Sequence, residues 1–233
     1  MISEDNFTDF KCPHCEETAS FPSEDRGKLR ACPNCLEDVI VPGPGEPVGR
    51  KLPLPILTQR LTLRRFLPDD WKDLLEFMGD EELFRYAGST LEEDQIMAWL
   101  ERDRVVRLTT PGQIFWLAIV ITETNKLVGY AGLSFTDPLQ AMFQIFLSRT
   151  YQKKGLANEA VDALFGFCFE GIKLHRISAT CDSRNSAACK LFERVGLRRE
   201  AEFVKDTPSV DGWLSTLWYA ALEEEYLSGT PQA

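Results

Sequence analysis

The chain has 233 residues, of which 44% are hydrophobic and 11% aromatic, and this suffices for one ordinary domain with a buried core and a small appendage. No run approaches the roughly 18 apolar residues of a membrane span, and the start is polar and acidic, so we expect a cytoplasmic protein without a membrane anchor. The net charge of −10 is shared by both halves of the chain, which disfavours a surface that follows nucleic-acid phosphates.

Two Cys-x-x-Cys pairs near the start predict a metal site. Cys12 and Cys15 form the first pair, and Cys32 and Cys35 form the second after a gap of sixteen residues. Two tight turns that each present two thiolates are a typical ligand set for one structural, tetrahedral Zn²⁺. Two disulfides or a rubredoxin-type iron site would use the same residues and are the alternatives. Three further cysteines lie in apolar or helical stretches without a pairing pattern and are expected to be reduced: Cys168, Cys181 and Cys189.

The cysteine-bearing segment, residues 1–42, resembles small zinc-ribbon modules. It departs from them at Glu16 and Leu36, which stand where such turns usually carry glycine, a residue that adopts positive φ at little cost. His14 lies inside the first turn and is expected to be exposed rather than a ligand. Because ten carboxylates outnumber the basic side chains of the first fifty residues, we expect the ribbon to be a structural cap or to contact a protein partner, and nucleic acid is disfavoured.

The stretch that follows the ribbon predicts a linker. Residues 41–55 contain five prolines and three glycines, which exclude a helix or an inner strand. We place the linker at residues 43–55. Because proline makes a linker semi-rigid, we expect the ribbon to be held off the main domain or laid along one side of it.

Beyond the linker, the apolar pattern predicts a mixed α/β domain over residues 56–228. Alternation predicts a strand over Thr58–Arg64, and helical spacing predicts a helix over Pro68–Met78. Residues 90–93 match a capping box, which predicts the start of a helix that extends through Val105. Three further strands in sequence indicate an antiparallel meander: Phe115–Ile121, Leu127–Leu133 and Met142–Leu147.

A glycine-bearing loop then leads directly into a helix. Gly155 permits a close approach of the backbone, Lys153 and Lys154 add positive charge, and the free amides at the start of a helix favour an anion. This junction therefore suits a phosphate group, with a plain turn as the alternative. Two elements follow, a strand over His175–Cys181 and a short helix from Asn185 to Gly196.

Taken in order, these segments resemble the GNAT superfamily of acyl-CoA-dependent N-acetyltransferases, most closely the branch that acetylates the N-terminal alanine of ribosomal proteins. The likeness covers residues 57–222. It rests on four motifs, namely Thr58-x-Arg60-Leu61-x-Leu63-Arg64, Gln152-x-x-Gly155-x-Ala157, His175-Arg176-Ile177, and Asn185 with Gly196-Leu197. The resemblance implies an α/β (α+β) fold with a splayed, mixed, mostly antiparallel sheet flanked by helices, preceded here by the small zinc ribbon.

The same resemblance implies where acetyl-CoA binds. The cofactor would enter between two strands, with its pyrophosphate on the backbone amides of residues 152–157 and its pantetheine arm paired with the strand around Leu147. Asn185 would lie beside the thiol arm. The candidate cofactor-binding residues are therefore Leu147, Gln152, Lys153, Lys154, Gly155, Leu156, Ala157, Asn158 and Asn185.

The catalytic groups are harder to assign. Family members often carry a glutamate on the strand before the phosphate loop, and a serine or tyrosine on the helix after the asparagine. The matching positions here hold Met142, Ala188 and Phe192, none of which can transfer a proton. Asn185 is then the one catalytic candidate. Three alternatives remain open. Water or a residue at a shifted position transfers the proton, the acceptor amine needs no base, or the domain no longer catalyses.

Acceptor chemistry bears on this choice. At pH 7 an α-amine of pKa about 7.8 is neutral in roughly one molecule in seven, whereas a lysine of pKa about 10.4 is neutral in roughly one in 2,500. We therefore predict transfer of an acetyl group from acetyl-CoA to a primary amine by direct attack in a ternary complex. A protein N-terminal α-amine is preferred over a small-molecule amine. A catalytically silent acyl-CoA-binding module with a protein-docking ribbon is the alternative, and the oligomeric state is not predicted.

Overall fold

The computed structural model describes residues 7–86, 90–110, 112–209 and 212–228. Four short strands build the N-terminal ribbon: β1 (Phe7–Lys11), β2 (Thr18–Pro22), β3 (Leu29–Ala31) and β4 (Asp38–Ile40). Eight strands build the main sheet: β5 (Ile56–Leu57), β6 (Leu61–Arg64), β7 (Ile114–Ile121), β8 (Lys126–Asp137), β9 (Gln140–Leu147), β10 (Arg176–Asp182), β11 (Arg198–Ser209) and β12 (Gly212–Leu222). The α-helices are α1 (Trp71–Met78), α2 (Glu81–Phe84), α3 (Glu93–Asp103), α4 (Leu156–Gly166), α5 (Ser186–Arg194) and α6 (Glu223–Ser228).

The main sheet is mixed and mostly antiparallel, as predicted. Its strand order is β11-β12-β10-β9-β8-β7-β6-β5, and β9 with β10 is the parallel pair among the described strands. Strands β7, β8 and β9 form the expected meander. Since parallel neighbours need a long crossover, the chain between β9 and β10 must leave the sheet, and it does so through α4.

Helices cover both faces of this sheet, and each face has its own apolar core. On one face α4 and α5 pack over strand residues such as Leu117 and Phe143. On the other face α1 and α3 pack over Val120 and Tyr130. This is the layered arrangement expected when a sheet that is apolar on both sides must be shielded from water. Among the described helices, none has both the length and the apolar content needed to cross a bilayer.

The ribbon consists of two separate hairpins, β1 with β2 and β3 with β4. Part of the predicted linker is used to join them. Lys11 exchanges backbone hydrogen bonds with Pro47 and Gly49, and Ile40 exchanges them with Arg50. Proline-rich chain is therefore laid across both hairpins, which fixes one relative to the other.

The ribbon lies against the main domain through the segment that connects α3 to β7. Asp38 is only 4% exposed, and its carboxylate accepts hydrogen bonds from the Leu108 and Thr109 amides at 2.6 and 3.1 Å. Its neighbour Glu37 accepts two hydrogen bonds from the Arg107 guanidinium at 2.5 and 2.7 Å. Of the two expected arrangements, the structure shows the one in which the ribbon lies along the domain.

Three sequence-based expectations are corrected in detail. The strand expected over Thr58–Arg64 begins only at Leu61, because residues 58–60 form the turn between β5 and β6, in which the Thr58 hydroxyl accepts from the Leu61 amide at 2.8 Å. Glu92, rather than Thr90, precedes α3, and the helix ends before Val105, which is exposed. The aromatic sequence of the last strand also predicts that Trp213, Trp218 and Tyr219 pack on the core, but Trp213 is 63% exposed, whereas Tyr219 is buried.

Candidate functional site

The parallel strands β9 and β10 separate along their length and open a cleft. They pair only where residues 176–178 face residues 140–142. Beyond that point the strands diverge, and a cleft of about 980 Å³ lies between them. Its walls include the last residues of β9, Thr180 and Cys181 of β10, and the first turns of α4 and α5.

The unpaired edge of β9 can hold an extended ligand. The Ser148 amide donates to Val128 of β8 at 2.8 Å, and backbone groups alternate in direction along a strand. The N–H and C=O of Ile145 and the N–H of Leu147 therefore face the cleft rather than β8. An extended arm that carries amides can pair with such an edge as another strand would.

At one end of the cleft, the loop before α4 presents free amides. Lys153 and Gly155 both have positive φ, 59° and 78°, and Gly155 is the residue that precedes the helix. Among the described residues, no acceptor lies within hydrogen-bonding reach of the amides of residues 153–158. Successive amides in such a conformation form an anion-binding concavity at the positive end of a helix dipole. Of the predicted residues, the amide of Gln152 is not free, because it donates to Arg149.

Gln152 has a different part in the structure from the one predicted. Its side-chain Nε2 donates to the carbonyl oxygen of Leu147 at 2.9 Å. This bond fastens residues 152–158, the predicted phosphate-binding loop, to the end of β9. Leu147 can therefore offer its amide, but not a free carbonyl, to a ligand in the cleft.

The candidate catalytic residue Asn185 caps α5 and borders the cleft. Its Oδ1 accepts from the Ala188 amide at 3.1 Å, so the side chain fixes the start of the helix. Ala188 and Phe192 also line the cleft. Met142 lies at the last paired position of β9, where the strands begin to separate. Ala188 and Phe192 thus lie on the cleft wall and Met142 at the point where the strands separate, and none of these three side chains can transfer a proton.

Other polar groups of the cleft are already engaged or lie on its rim. Asp182 accepts several hydrogen bonds from Arg184, which together hold the pKa of this carboxyl below its usual range. Glu82 and Tyr86 line the side opposite α4 and were not predicted from the sequence, because α2 has only four residues and carries little periodicity. Thr216 of β12 also lines the cleft.

Among the described residues, several titratable side chains that the sequence offers as candidates, His175 and an acidic run from Glu200 onward, do not line this cleft. His175 is exposed and precedes β10. Glu200 and Glu202 make ion pairs with arginines, the Asp206 carboxylate accepts from the Thr216 amide, and Asp211 lies outside the described residues. The acidic run is therefore a solvated, charge-paired face.

The expectation that the last three cysteines are isolated holds only in part. Cys168 is buried in the core. Cys181 and Cys189 have Sγ atoms 3.7 Å apart, although the sequence gives no pairing pattern. Both remain free thiols, and burial with its partner nearby raises the pKa of Cys181 to about 12.

The four N-terminal cysteines form a compact cluster. Their Sγ atoms all lie within 4.8 Å of one another. The separations of Cys12 from Cys35 and of Cys15 from Cys32 are 3.8 and 4.0 Å, close to the ~3.8 Å edge of a tetrahedron of sulfurs about 2.3 Å from a central ion. A disulfide would require about 2.05 Å. The donor set therefore fits a tetrahedral thiophilic metal, and the geometry contradicts the disulfide alternative.

The two cysteine turns have the same backbone geometry. Glu16 and Leu36 have φ of 63° and 61°, so both non-glycine residues adopt the conformation in which related turns use glycine. In each turn the amide of that residue donates to the carbonyl of the first cysteine of the pair. His14 is exposed as expected, and its Nε2 lies 3.1 Å from the Asp38 carbonyl oxygen.

The fold and the cleft together define a class of protein. A sheet parted between two parallel strands, with a free strand edge leading to an amide-lined helix start, can accommodate an extended ligand that carries phosphate. The model of the acetyltransferase (GNAT) domain family matches residues 60–198. The chain therefore belongs to the GNAT acetyltransferase family, and it is an acetyl-CoA-dependent N-acetyltransferase.

Individual relatives agree with this assignment. YnaD of Bacillus subtilis, described as an uncharacterised N-acetyltransferase, is 29% identical over 175 residues, which cover 73% of this chain and 98% of the relative. A putative ribosomal-protein-serine acetyltransferase from Vibrio cholerae superposes with a TM-score of 0.62 at 21% identity, covering 74% of this chain and 99% of the other. The spermidine N-acetyltransferase from Vibrio cholerae, solved with CoA and spermine, gives a TM-score of 0.64 at 18% identity and covers 73% and 99%. At these identities the two structures show the shared fold alone.

Proposed function

We propose that the cleft binds acetyl-CoA in an extended form, with the diphosphate on the amides of residues 153–158 and the pantetheine arm along Ile145 and Leu147. The single observation that supports this most is the continuity between the free edge of β9 and the row of unpartnered amides at the start of α4. Lys153 borders the cleft and adds positive charge beside these amides. Asn185 would lie beside the thioester end.

We further propose that the acceptor is a protein N-terminal α-amine, as in the branch that acetylates ribosomal proteins. The positions of Met142, Ala188 and Phe192 offer no base, so an amine that is already partly neutral at pH 7 is favoured. The acceptor would approach past Glu82 and Tyr86. The distant likeness to a ribosomal-protein acetyltransferase agrees with this choice, but the likeness to a spermidine acetyltransferase is of equal strength, so the argument rests on amine chemistry.

The reaction is a direct transfer. The neutral amine nitrogen attacks the thioester carbonyl carbon, the new C–N bond forms, and the C–S bond breaks. The amine proton passes to water, and a thiol of pKa near 8.5 leaves without strong acid assistance. The chain contributes orientation, because the loop and the strand edge hold the donor while α2 and β12 border the acceptor.

A thiol-release assay tests this proposal. Acetyl-CoA is offered with four acceptor groups: peptides with free N-termini, the same peptides blocked and carrying only lysine, polyamines, and aminoglycosides. We expect turnover on the first group, and the pH profile of kcat/KM should rise as the α-amine loses its proton near pH 8. Turnover confined to polyamines would contradict the acceptor assignment while leaving acetyl transfer intact.

We also propose that the four-cysteine cluster holds one structural Zn²⁺. The ions that suit four thiolates in a tetrahedron are zinc and iron, and thiols kept reduced in this way agree with a cytoplasmic location. With four protein ligands the site has no open position, so it would stabilise the ribbon rather than take part in acetyl transfer.

Metal analysis tests the proposed zinc site. The purified chain should contain one zinc per chain, and Cys32→Ser should abolish zinc binding. Iron at the same stoichiometry would contradict the choice of metal.

The ribbon itself is proposed to act as a cap on the α3 to β7 segment. The contacts of Glu37 and Asp38 support this role. The proposed division of the chain remains a ribbon at 1–42, a linker at 43–55 and the acetyltransferase domain at 56–228. Limited proteolysis should cut within 43–46 before it cuts within 47–50, whose backbone pairs with the ribbon.

A further inference from the structure

An ion pair between Arg60, just before β6, and Glu159, in the first turn of α4, joins these two elements. The Glu159 carboxylate accepts from the Thr58 hydroxyl at 2.6 Å, from the Arg60 amide at 2.8 Å, and from Arg60 Nε at 2.6 Å. The Arg60 Nη1 donates to the backbone carbonyl of Lys154 at 3.0 Å. Two residues of one turn thus hold both a carboxylate and a backbone carbonyl of a segment about one hundred positions further along the chain.

These contacts act on the direction of the loop amides. In a trans peptide the C=O and N–H groups point in opposite directions. Because Arg60 fixes the Lys154 carbonyl on its own side, the Gly155 amide of the same peptide unit must point away from Arg60. Gly155 has the positive φ that this arrangement needs, and a Cβ there would lie 3.5 Å from the guanidinium.

The same contacts act on charge. Glu159 lies in the first turn of α4, next to the amides that would receive a diphosphate. A free carboxylate at this place would repel the ligand. Burial raises the pKa of Glu159, but the hydrogen bonds from Thr58 and Arg60 outweigh it and lower the pKa, so the group is ionised and its charge is matched by Arg60. Arg60 is 46% exposed in its side chain, so its charge is also felt at the loop surface.

We infer that Thr58, Arg60 and Glu159 form a clasp that positions the phosphate-binding loop and thereby sets the affinity for the diphosphate of the acyl donor. This inference rests on the proposed binding of acetyl-CoA at that loop. The clasp touches neither the thioester nor the acceptor. It is therefore a set of positioning residues, and its effect belongs in donor binding rather than in the chemical step.

The test compares two acyl donors that differ in the diphosphate. Arg60→Gln should raise the KM for acetyl-CoA and the Kd for CoA about 10- to 100-fold, the range expected when a charge-assisted hydrogen bond is lost. The kcat with acetyl-CoA should stay within about threefold. With acetyl-pantetheine, which lacks the diphosphate, kcat/KM should be unchanged. Arg60→Lys keeps the positive charge but loses the bidentate guanidinium, so its KM for acetyl-CoA should lie between those of the wild type and Arg60→Gln.

Two further variants separate positioning from general damage. Arg60→Gln combined with Glu159→Gln should bind CoA more tightly than Arg60→Gln alone, because the unmatched carboxylate is gone. Arg104→Gln breaks an exposed ion pair with Glu101 on α3 and should leave all parameters unchanged. If Arg60→Gln does not fold, Thr58→Val provides the same comparison with a smaller, few-fold rise in KM.

The outcomes also separate this inference from the proposed function. Equal losses with acetyl-CoA and acetyl-pantetheine, or a loss confined to kcat, would mean that the clasp only supports the fold, and the inference would be wrong. No change in any parameter would overturn it as well. If the wild-type chain itself binds no CoA in calorimetry, the proposed binding site fails first.

Discussion

At the scale of single residues, Asp103 is a buried carboxylate whose hydrogen bonds are incomplete. It ends α3 with its side chain only 2% exposed, and one carboxylate oxygen lies 3.0 Å from Arg65 Nη2. Among the described residues its other oxygen is the buried side-chain oxygen without a hydrogen-bond partner. Burial outweighs the attraction of Arg65 and raises the pKa of Asp103 to about 6. Near neutral pH the folded chain therefore holds a buried Asp103 carboxylate of which, within the described part of the chain, only one oxygen has a partner, Arg65.

This predicts a pH-dependent difference between the wild type and Asp103→Asn. A carboxyl whose pKa is raised on folding stabilises the protein in its protonated form, fully below the unfolded pKa of about 3.9. That contribution is lost as the pH rises through about 6. The free energy of unfolding of the wild type, minus that of the variant, should therefore fall from pH 4 to pH 7 in urea titrations.

A matched control is available on the surface. Asp69 is 88% exposed and pairs with Lys72, so Asp69→Asn should give a stability curve parallel to that of the wild type over the same range. Parallel curves for both variants would show that Asp103 titrates normally in the folded chain.

What the sequence could predict at this scale depends on distance along the chain. The four-cysteine cluster is recognisable because two Cys-x-x-Cys turns are local patterns. The contact of Arg60 with Glu159 is not, because it depends on how β6 lies against α4, 99 positions away. The approach of Cys181 to Cys189 was missed for a similar reason, since it depends on how α5 folds back on β10.

At the scale of elements, the cleft depends on β9 being held firmly by β8 on one side while it is free on the other. Gly129 of β8 lies opposite Leu147, at the end of β9 that borders the cleft. A Cβ at Gly129 would overlap the backbone carbonyl oxygen of Phe146 and lie 3.0 Å from the Cα of Leu147. Since backbone atoms cannot rotate away as a side chain can, the close approach of the two strands requires glycine.

Gly129→Ala should therefore destabilise the chain by about 3 kcal/mol, which is the upper part of the range for overpacked sites. The variant would also displace the strand edge proposed to bind pantetheine, so CoA binding should weaken in proportion. Gly79→Ala is the matched control, because nothing lies within 4 Å of its added Cβ, and it should change stability by about 0.5 kcal/mol or less. Urea denaturation of both variants checks the prediction, and equal effects would contradict it.

Most elements could be predicted because their apolar periodicity agrees with their place in the fold. The meander from β7 to β9 and the helix after Gly155 are examples. The errors lie where a side chain competes with the backbone. The Thr58 hydroxyl accepts from the Leu61 amide and closes a turn where the strand was predicted to begin. The Gln95 Oε1 accepts from the Glu92 amide at 2.9 Å, so α3 begins after Glu92.

At the scale of the whole molecule, the two modules are joined by a carboxylate rather than by the linker alone. Leu29 and Ile40 of the ribbon belong to the same apolar cluster as the acetyltransferase core. Asp38 adds the buried hydrogen bonds to the Leu108 and Thr109 amides and to the Thr109 hydroxyl at 2.5 Å. The sequence could divide the chain into modules from composition, but the pairing of Asp38 with the α3 to β7 segment is a tertiary contact without a local signature.

This junction predicts that metal in the ribbon stabilises the acetyltransferase domain. Asp38 lies three residues after Cys35, one of the four proposed ligands, so loss of the proposed metal would release the turn that holds the Asp38 carboxylate in place. All five tryptophans lie between Trp71 and Trp218, so their fluorescence reports unfolding of the domain and not of the ribbon. Chelation should lower the tryptophan-monitored Tm by about 5 to 10 °C, which corresponds to roughly 2 to 3 kcal/mol for a chain of this size.

The neighbouring carboxylates distinguish a specific junction from general damage. Asp38→Asn replaces one of the two accepting oxygens by an NH2 donor that faces a buried amide, so it should itself cost about 3 kcal/mol, and chelation should then lower the domain Tm much less than in the wild type. Glu37→Gln removes only a partly exposed ion pair with Arg107, so it should cost less than 1 kcal/mol and keep the full response to chelation. If chelation shifts the domain Tm equally in all three proteins, the metal acts on the domain by a route other than Asp38.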